Sequence, residues 1–271
     1  MPYFTHDGVC FHYCDMGAGL PVVFQHGLGS NLSQLIGMFQ PPLAFRLLSM
    51  DFRGHGETQP LGPPEKIGMA SFADDLLALL DELGIGQAVV GGISMGAAVA
   101  LNLALRFPHR VHALILSRPC WLDHPSPPNA RMFLSIAQCI RQYGAKEGRK
   151  QFCQSGEYRD LFRHWPYFAQ SLLGLLDDPR AEETVVKLEQ IANDAPCRSL
   201  DELATIRLST LVLVNRHDPV HPYEYGEVLV QAIPGAQLRE VAPKSESESR
   251  HAADVQRCIT EFLQLTFGGP S

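Results

Sequence analysis

The chain has 271 residues, and its formal net charge at pH 7 is −7. Hydrophobic residues make up 45% and charged residues 19% of it, which excludes a disordered or fibrous protein. The acidic balance argues against nucleic acid as a partner. No apolar stretch reaches the roughly 18 residues of a membrane span, and the amino terminus lacks a cationic segment followed by an apolar one. We therefore expect a cytoplasmic protein without a membrane span.

The cysteine and histidine residues could have structural roles or chemical ones. The 7 Cys residues lack C-x-x-C spacing, which favours reduced thiols over a disulfide framework or a zinc site. The chain also has 11 His residues, the side chains whose ordinary pKa lies closest to working pH. We expect most of them to be structural, and we expect no metal and no cofactor.

The first half of the chain alternates apolar runs with one clear helix. Strands are predicted at 9–14, which has the pattern of an edge strand, and at 21–25 and 46–51. A helix is predicted at 71–83, with Ser71 as its N-cap and Gly84 as its end. A further strand at 87–92 leads directly into a helix at 94–106 that is rich in Ala and Leu.

The second half repeats this alternation around an interruption. Strands are predicted at 111–117, 210–215 and 237–241, with amphipathic helices at 223–232 and 252–267. Between 121 and 204 the sequence shows only helical patterns, such as 131–143 and 182–192. Alternating strands and helices indicate an α/β fold with a mostly parallel sheet covered on both faces. We therefore divide the chain into a core of residues 1–120 and 205–271 and a helical insertion of residues 121–204.

The sequence G-x-S-x-G occurs at the junction of the predicted strand 87–92 and the next helix. It reads Gly92-Ile93-Ser94-Met95-Gly96. A sharp strand-to-helix turn lifts such a serine above the sheet and needs small neighbours, because other chain segments approach closely. Ser94 is therefore the predicted nucleophile.

In this context the chain resembles the α/β-hydrolase family. His26-Gly27 looks like the family's oxyanion loop, which implies that the backbone N–H groups of Leu28 and Met95 form an oxyanion hole. The resemblance implies an eight-stranded type of sheet, with the helical insertion as a cap. The segment Asp51-Phe-Arg-Gly-His-Gly56 resembles the turn that follows a strand in this family. The resemblance implies that Asp51, Arg53 and His55 fix the fold, as His26 does.

The family pattern places the acid of a catalytic triad after the strand 210–215, where Asp218 stands. Asp123 is the alternative acid. The family's histidine is missing from its usual place near Ser245, since the polar run 244–250 follows the last strand. His251 is the first candidate for the base, if the polar run folds back to present it, and His221 is its rival.

These assignments predict a serine hydrolase that cleaves a small, fairly apolar ester, thioester or lactone through an acyl-enzyme on Ser94. Two alternatives use the same fold. One is a lyase, a C–C hydrolase or a haloperoxidase-like enzyme, and the other is a non-catalytic protein that binds a small molecule and has a degenerate triad. The sequence leaves open whether the chain forms a homodimer.

Overall fold

The computed structural model describes residues 1–268. Within them, eight strands form one sheet in the order β1-β2-β4-β3-β5-β6-β7-β8. The strands are β1 (Tyr3–His6), β2 (Val9–Gly17), β3 (Leu20–Gln25), β4 (Phe45–Met50), β5 (Ala88–Ile93), β6 (Val111–Ser117), β7 (Ser209–Val214) and β8 (Gln237–Glu240). β2 pairs antiparallel with β1 and with β4, and the other neighbouring strands are parallel. β2 is therefore an inner strand and not the edge strand that its alternating pattern predicts.

The helices lie on both faces of this sheet, as predicted. They are α1 (Leu32–Ile36), α2 (Met69–Glu82), α3 (Met95–Arg106), α4 (Arg131–Gln154), α5 (Gly156–His164), α6 (Pro166–Asp177), α7 (Ala181–Thr184), α8 (Val186–Ala192), α9 (Tyr223–Ala232) and α10 (Glu248–Phe267). The mostly parallel sheet with helices on both faces confirms the predicted fold class.

Alternate side chains of the central strands build two apolar layers, because successive residues of a strand point to opposite faces. On β5, Val90 packs in the layer that includes α2 and α3, whereas Val89 packs in the layer that includes α1 and α10. On β6, Leu114 and Ile115 divide in the same way. The core thus fixes the strands whose carboxyl ends carry the candidate site.

Two helices begin earlier than their sequence patterns predict. α2 begins at Met69 and not after Ser71, because the Asp194 carboxylate accepts a hydrogen bond from the Met69 N–H at 2.7 Å and satisfies a free donor of the first turn. α10 begins at Glu248, where the Ser247 hydroxyl accepts from the Arg250 N–H at 3.2 Å. The predicted polar loop 244–250 therefore contains a helix N-terminus.

Between β6 and β7 the described chain contains no strand, and its α-helices there are α4 to α8. α4 continues past the predicted end at Tyr143, and Gly144 interrupts it with φ 73° and ψ 167°. Phe133, Leu172 and Ile191 pack in the same apolar layer as α2 and α3, so this segment lies over one side of the core. No described helix has the length and apolar character to cross a membrane.

Candidate active site

Ser94 stands at the turn between β5 and α3 in a strained backbone conformation, with φ 57° and ψ −111°. Such a φ costs a residue with a side chain about 1–3 kcal/mol. The turn is held from both sides, because the Ser94 N–H donates to the Ser117 carbonyl at 2.9 Å and the Ser94 carbonyl accepts from Ala98 N–H at 3.1 Å. Ser94 lines a cavity of about 250 Å³ at the carboxyl edge of the sheet.

The glycines of the G-x-S-x-G sequence are required by close backbone contacts. A Cβ atom on Gly92 would lie 2.6 Å from the Gly96 carbonyl carbon, and one on Gly96 would lie 2.5 Å from the Gln25 carbonyl oxygen. Any side chain would displace the end of β3 from the turn. The two glycines therefore hold Ser94 against the loop that follows β3.

That loop carries His26 and Gly27. The buried His26 donates through Nδ1 to the Gly27 carbonyl at 2.9 Å and accepts through Nε2 from the Phe52 N–H at 3.2 Å. With both ring nitrogens occupied, His26 shapes the loop, as the sequence predicts. A Cβ on Gly27 would lie 3.5 Å from the Ser94 Cβ, so the loop adjoins Ser94. Leu28 and Ser94 line the same cavity, and Met95 is the first residue of α3.

The turn after β4 is a hydrogen-bonded support. The Asp51 carboxylate accepts from Leu32 N–H at 2.8 Å, from Glu57 N–H at 3.0 Å and from the His12 ring at 2.8 Å. Arg53 donates two hydrogen bonds of 2.7 Å to Asp75 on α2. These contacts agree with the predicted structural roles of Asp51 and Arg53.

His55 belongs to the same support. It is buried and donates through Nδ1 to the Arg53 carbonyl at 3.0 Å. Burial lowers the pKa of His55 well below its usual range, and the nearby Lys187 charge adds to this effect. We therefore also assign His55 a structural role.

Asp218 lies in the turn after β7, with its carboxylate fully buried. Oδ1 accepts from Val220 N–H at 3.0 Å and from His221 N–H at 3.1 Å, while Oδ2 accepts from His221 Nδ1 at 2.9 Å. Burial raises the pKa of this carboxyl, but the charge and hydrogen bonds of His221, with the charge of Arg118, outweigh burial and hold the pKa at about 2. Asp218 is thus an ionised acceptor for the His221 ring.

His221 lines the cavity that contains Ser94, and its side chain is 10% exposed. Burial lowers its pKa below the ordinary value; the Asp218 charge opposes this shift, and the Arg118 charge adds to it. A neutral ring whose Nδ1–H donates to Asp218 has its lone pair on Nε2. The structure therefore joins the predicted acid to the rival base, and this base lines the same cavity as the predicted nucleophile.

His251 has different surroundings. It lies in the first turn of α10, is 1% exposed and donates through Nδ1 to the Ala242 carbonyl at 2.8 Å. Among the described residues that line the cavity, His251 does not occur. Burial, together with the positive charge of Arg118, lowers its pKa to about 4. The Ser247 cap starts α10 before His251, so the ring is held under the preceding turn and not presented by a loop.

Asp123, the alternative acid, also lies outside the described cavity lining. Its carboxylate accepts from the Leu200 N–H at 3.2 Å. It therefore has a contact within the helical insertion, whereas Asp218 contacts a cavity histidine.

Two cationic residues of the cavity were not among the predicted site residues. Arg118 follows β6 and Lys244 follows β8, and both line the cavity. The carboxyl ends of parallel strands share one edge of the sheet, so the positions of these residues after predicted strands were the available signal. The helical insertion supplies apolar wall residues of the same cavity, including Phe133, Phe168, Leu172 and Leu175.

Comparison with known proteins agrees with this architecture. A family profile described as the alpha/beta hydrolase fold matches residues 21–145. The 2-hydroxy-6-oxo-2,4-heptadienoate hydrolase of Pseudomonas putida is 30% identical over 243 residues, which is 83% of this chain and 81% of the relative. The 3-oxoadipate enol-lactonase 2 of Acinetobacter baylyi is 28% identical over 263 residues, 93% of this chain and 90% of the relative.

A solved structure of a thermophilic esterase from Thermogutta terrifontis superimposes with a TM-score of 0.73 at 27% identity, covering 97% of each chain. The fold, the strand-to-helix turn at Ser94 and the sequence relatives agree. The chain therefore belongs to the α/β-hydrolase fold family of enzymes.

Proposed function

We propose that the chain is a serine hydrolase that cleaves small esters, thioesters or lactones through an acyl-enzyme on Ser94. The observation that carries this proposal is the Asp218–His221 hydrogen bond of 2.9 Å beside the cavity that Ser94 lines. The likeness to an enol-lactonase and to an esterase supports hydrolysis at an acyl carbon. We further propose that residues 121–204 act as a cap over the core of residues 1–120 and 205–271.

In the proposed reaction, Ser94 Oγ attacks the substrate carbonyl carbon while Nε2 of His221 accepts the hydroxyl proton. The backbone N–H groups of Leu28 and Met95 stabilise the oxyanion. His221 then gives its proton to the leaving oxygen or sulfur atom, and a water molecule cleaves the acyl-enzyme by the same steps. Asp218 stabilises the imidazolium that forms.

We assign the base to His221 in preference to His251. His221 has the acid on one ring nitrogen and the cavity beside it. His251 is almost fully buried, and its Nδ1–H donates to a backbone carbonyl and not to a carboxylate.

A matched pair of variants tests this assignment. The side-chain amide of Asn places an N–H donor where histidine has its Nδ1–H, but it has no counterpart of Nε2. His221→Asn therefore keeps the donor to Asp218, and His251→Asn keeps the donor to Ala242. We expect His221→Asn to lower kcat on a para-nitrophenyl ester by about 10²–10⁴-fold and His251→Asn to lower it by less than about tenfold. The opposite order would assign the base to His251.

Labelling tests the nucleophile separately. A fluorophosphonate should modify the folded protein at Ser94, identified by peptide mass spectrometry, and should not modify Ser94→Ala. An unlabelled protein without esterase activity would instead support the non-catalytic alternative, in which the cavity only holds a ligand.

C–C bond hydrolysis is the second candidate, because the 30% identical relative carries the name of a 2-hydroxy-6-oxo-2,4-heptadienoate hydrolase. Product analysis separates the two reactions. An ester yields an acid and an alcohol, and a lactone yields one hydroxy acid. Hydrolysis of a vinylogous diketone instead breaks a C–C bond and yields a carboxylic acid and a fragment with a new C–H bond. Turnover of the diketone alone would favour this second candidate.

A further inference from the structure

The charged side chains in the described cavity lining are both cations. They are Arg118, from the end of β6, and Lys244, from the connection between β8 and α10. The remaining lining is mostly apolar or uncharged, and the carboxylate of Asp218 lies behind His221 with no exposed surface. A neutral, fully apolar substrate would give neither cation a hydrogen-bond acceptor.

The Arg118 guanidinium is buried but has few polar contacts. Its side chain is 6% exposed, and Nη1 lies 3.6 Å from Asp218 Oδ2, a distance too long for a hydrogen bond. Its Nε has no hydrogen-bond partner in residues 1–268. Leaving a buried charged donor unsatisfied is costly, and the Asp218 oxygens already accept three hydrogen bonds from Val220 and His221.

Lys244 and Arg118 also repel each other. Burial and the Arg118 charge lower the pKa of Lys244, while Glu248 and Asp218 act in the opposite direction. Glu248 accepts the Tyr167 hydroxyl at 2.5 Å, and the Lys244 ammonium lies 5.9 Å from the centre of the Tyr167 ring. An anion held by both cations would relieve their repulsion.

We propose that Arg118 and Lys244 form a carboxylate-binding subsite, so that the substrate is an ester or lactone whose acyl part carries a second, free carboxylate. This inference rests on the proposed hydrolase function and refines its substrate from a fairly apolar acid to an anionic one. A guanidinium fork matches the two oxygens of a carboxylate, and the ammonium adds a point charge. The apolar wall of Phe168, Leu172 and Leu175 then contacts the carbon chain between the two ends.

The test compares two esters of equal chain length, mono-para-nitrophenyl adipate and para-nitrophenyl hexanoate. The readout is the ratio of kcat/KM for the anionic ester to that for the neutral ester, with spontaneous hydrolysis subtracted. We expect the wild type to prefer the anionic ester, Lys244→Met to lower the ratio about tenfold or more, and Lys244→Arg to retain most of it. An unchanged ratio in Lys244→Met would overturn the subsite while leaving the hydrolase proposal intact.

A binding experiment keeps the test independent of turnover. Calorimetric titration of Ser94→Ala with adipate should show binding that is lost when Lys244→Met is added, and hexanoate should bind more weakly. Should neither ester be hydrolysed, the hydrolase proposal fails and this titration alone decides on the subsite. Binding of inorganic phosphate in preference to adipate, or no binding of adipate, would overturn the carboxylate assignment.

Discussion

The protonation state of His221 is set by two neighbours with opposite effects. Burial, the largest influence, and the Arg118 charge disfavour the imidazolium, whereas Asp218 favours it. A base must be neutral to accept a proton, so activity should fall as pH decreases through the pKa of His221. Since that pKa lies below the ordinary histidine value of about 6.5, we expect full activity at pH 7 and an acidic limb below about pH 6.5.

Asp218→Asn tests this balance. Losing the carboxylate removes the influence that raises the pKa of His221, so the acidic limb of kcat/KM should move to lower pH. The amide also cannot stabilise the imidazolium, so kcat should fall by about 10²–10⁴-fold. A pH-rate profile measured on one ester for wild type and variant checks both effects. A limb that stays in place would show that another group titrates there.

At this scale the sequence pattern predicts one nucleophile, Ser94, and a preferred acid, Asp218, but leaves two candidates for the base. Ser94 is predictable because its neighbours Gly92 and Gly96 and the preceding strand form one local pattern. The choice between His221 and His251 depends on which ring reaches the carboxylate and the cavity, and those contacts join the turn after β7 to β5 and α10. Local spacing does not contain that information.

At the scale of elements, the β5-turn-α3 unit depends on contacts with β3. Gly96→Ala places a Cβ 2.5 Å from the Gln25 carbonyl oxygen, and backbone cannot yield as a flexible side chain can. We expect a loss of about 1–3 kcal/mol in the free energy of unfolding together with loss of activity, measured by urea denaturation and ester hydrolysis. Gly156→Ala at the start of α5 is the control, because a Cβ there meets nothing within 4 Å. Equal effects of the two substitutions would contradict this explanation.

The boundaries of the elements were harder to predict than their existence. Apolar runs located β3, β5, β6 and β7 because buried parallel strands are apolar on both faces. The beginnings of α2 and α10 depend on single caps instead. Asp194, 125 residues away, receives the first N–H of α2, and Ser247 starts α10 inside a run of polar residues. The residues next to the start of α2 therefore do not indicate its cap. For α10, several serines lie close together, and the sequence does not show which of them is the N-cap.

At the scale of the whole molecule, several hydrogen bonds join the helical insertion to the core, and two of them differ in burial. In the first, Lys187 of α8 donates to the Gly54 carbonyl at 2.8 Å. In the second, Tyr167 of α6 donates to Glu248 at the start of α10. The first contact is buried and the second is partly exposed, so we expect the insertion to open more readily on the Tyr167 side.

Tyr167→Phe removes that second contact while keeping the ring in the cavity wall. We expect the loss of one partly exposed hydrogen bond to lower the free energy of local opening by about 1 kcal/mol. Where local opening determines amide exchange, this corresponds to roughly fivefold faster exchange. We expect this increase in α6 and not in α3, as measured by hydrogen-deuterium exchange with mass spectrometry. Tyr143→Phe, on the exposed surface of α4, is the control. Faster exchange throughout the core would indicate general destabilisation instead.

The proposed acid and the proposed base stand three residues apart in one turn, and Asp218 binds both the backbone and the ring of His221. We expect a displacement of this turn to preserve the carboxylate-imidazole geometry. It would change the separations of the pair from Ser94 and from Arg118. In the proposed assignment, the connection from β8 to α10 supplies no residue that takes part in proton transfer. Its length and sequence can then diverge under selection for new substrates without breaking the catalytic pair.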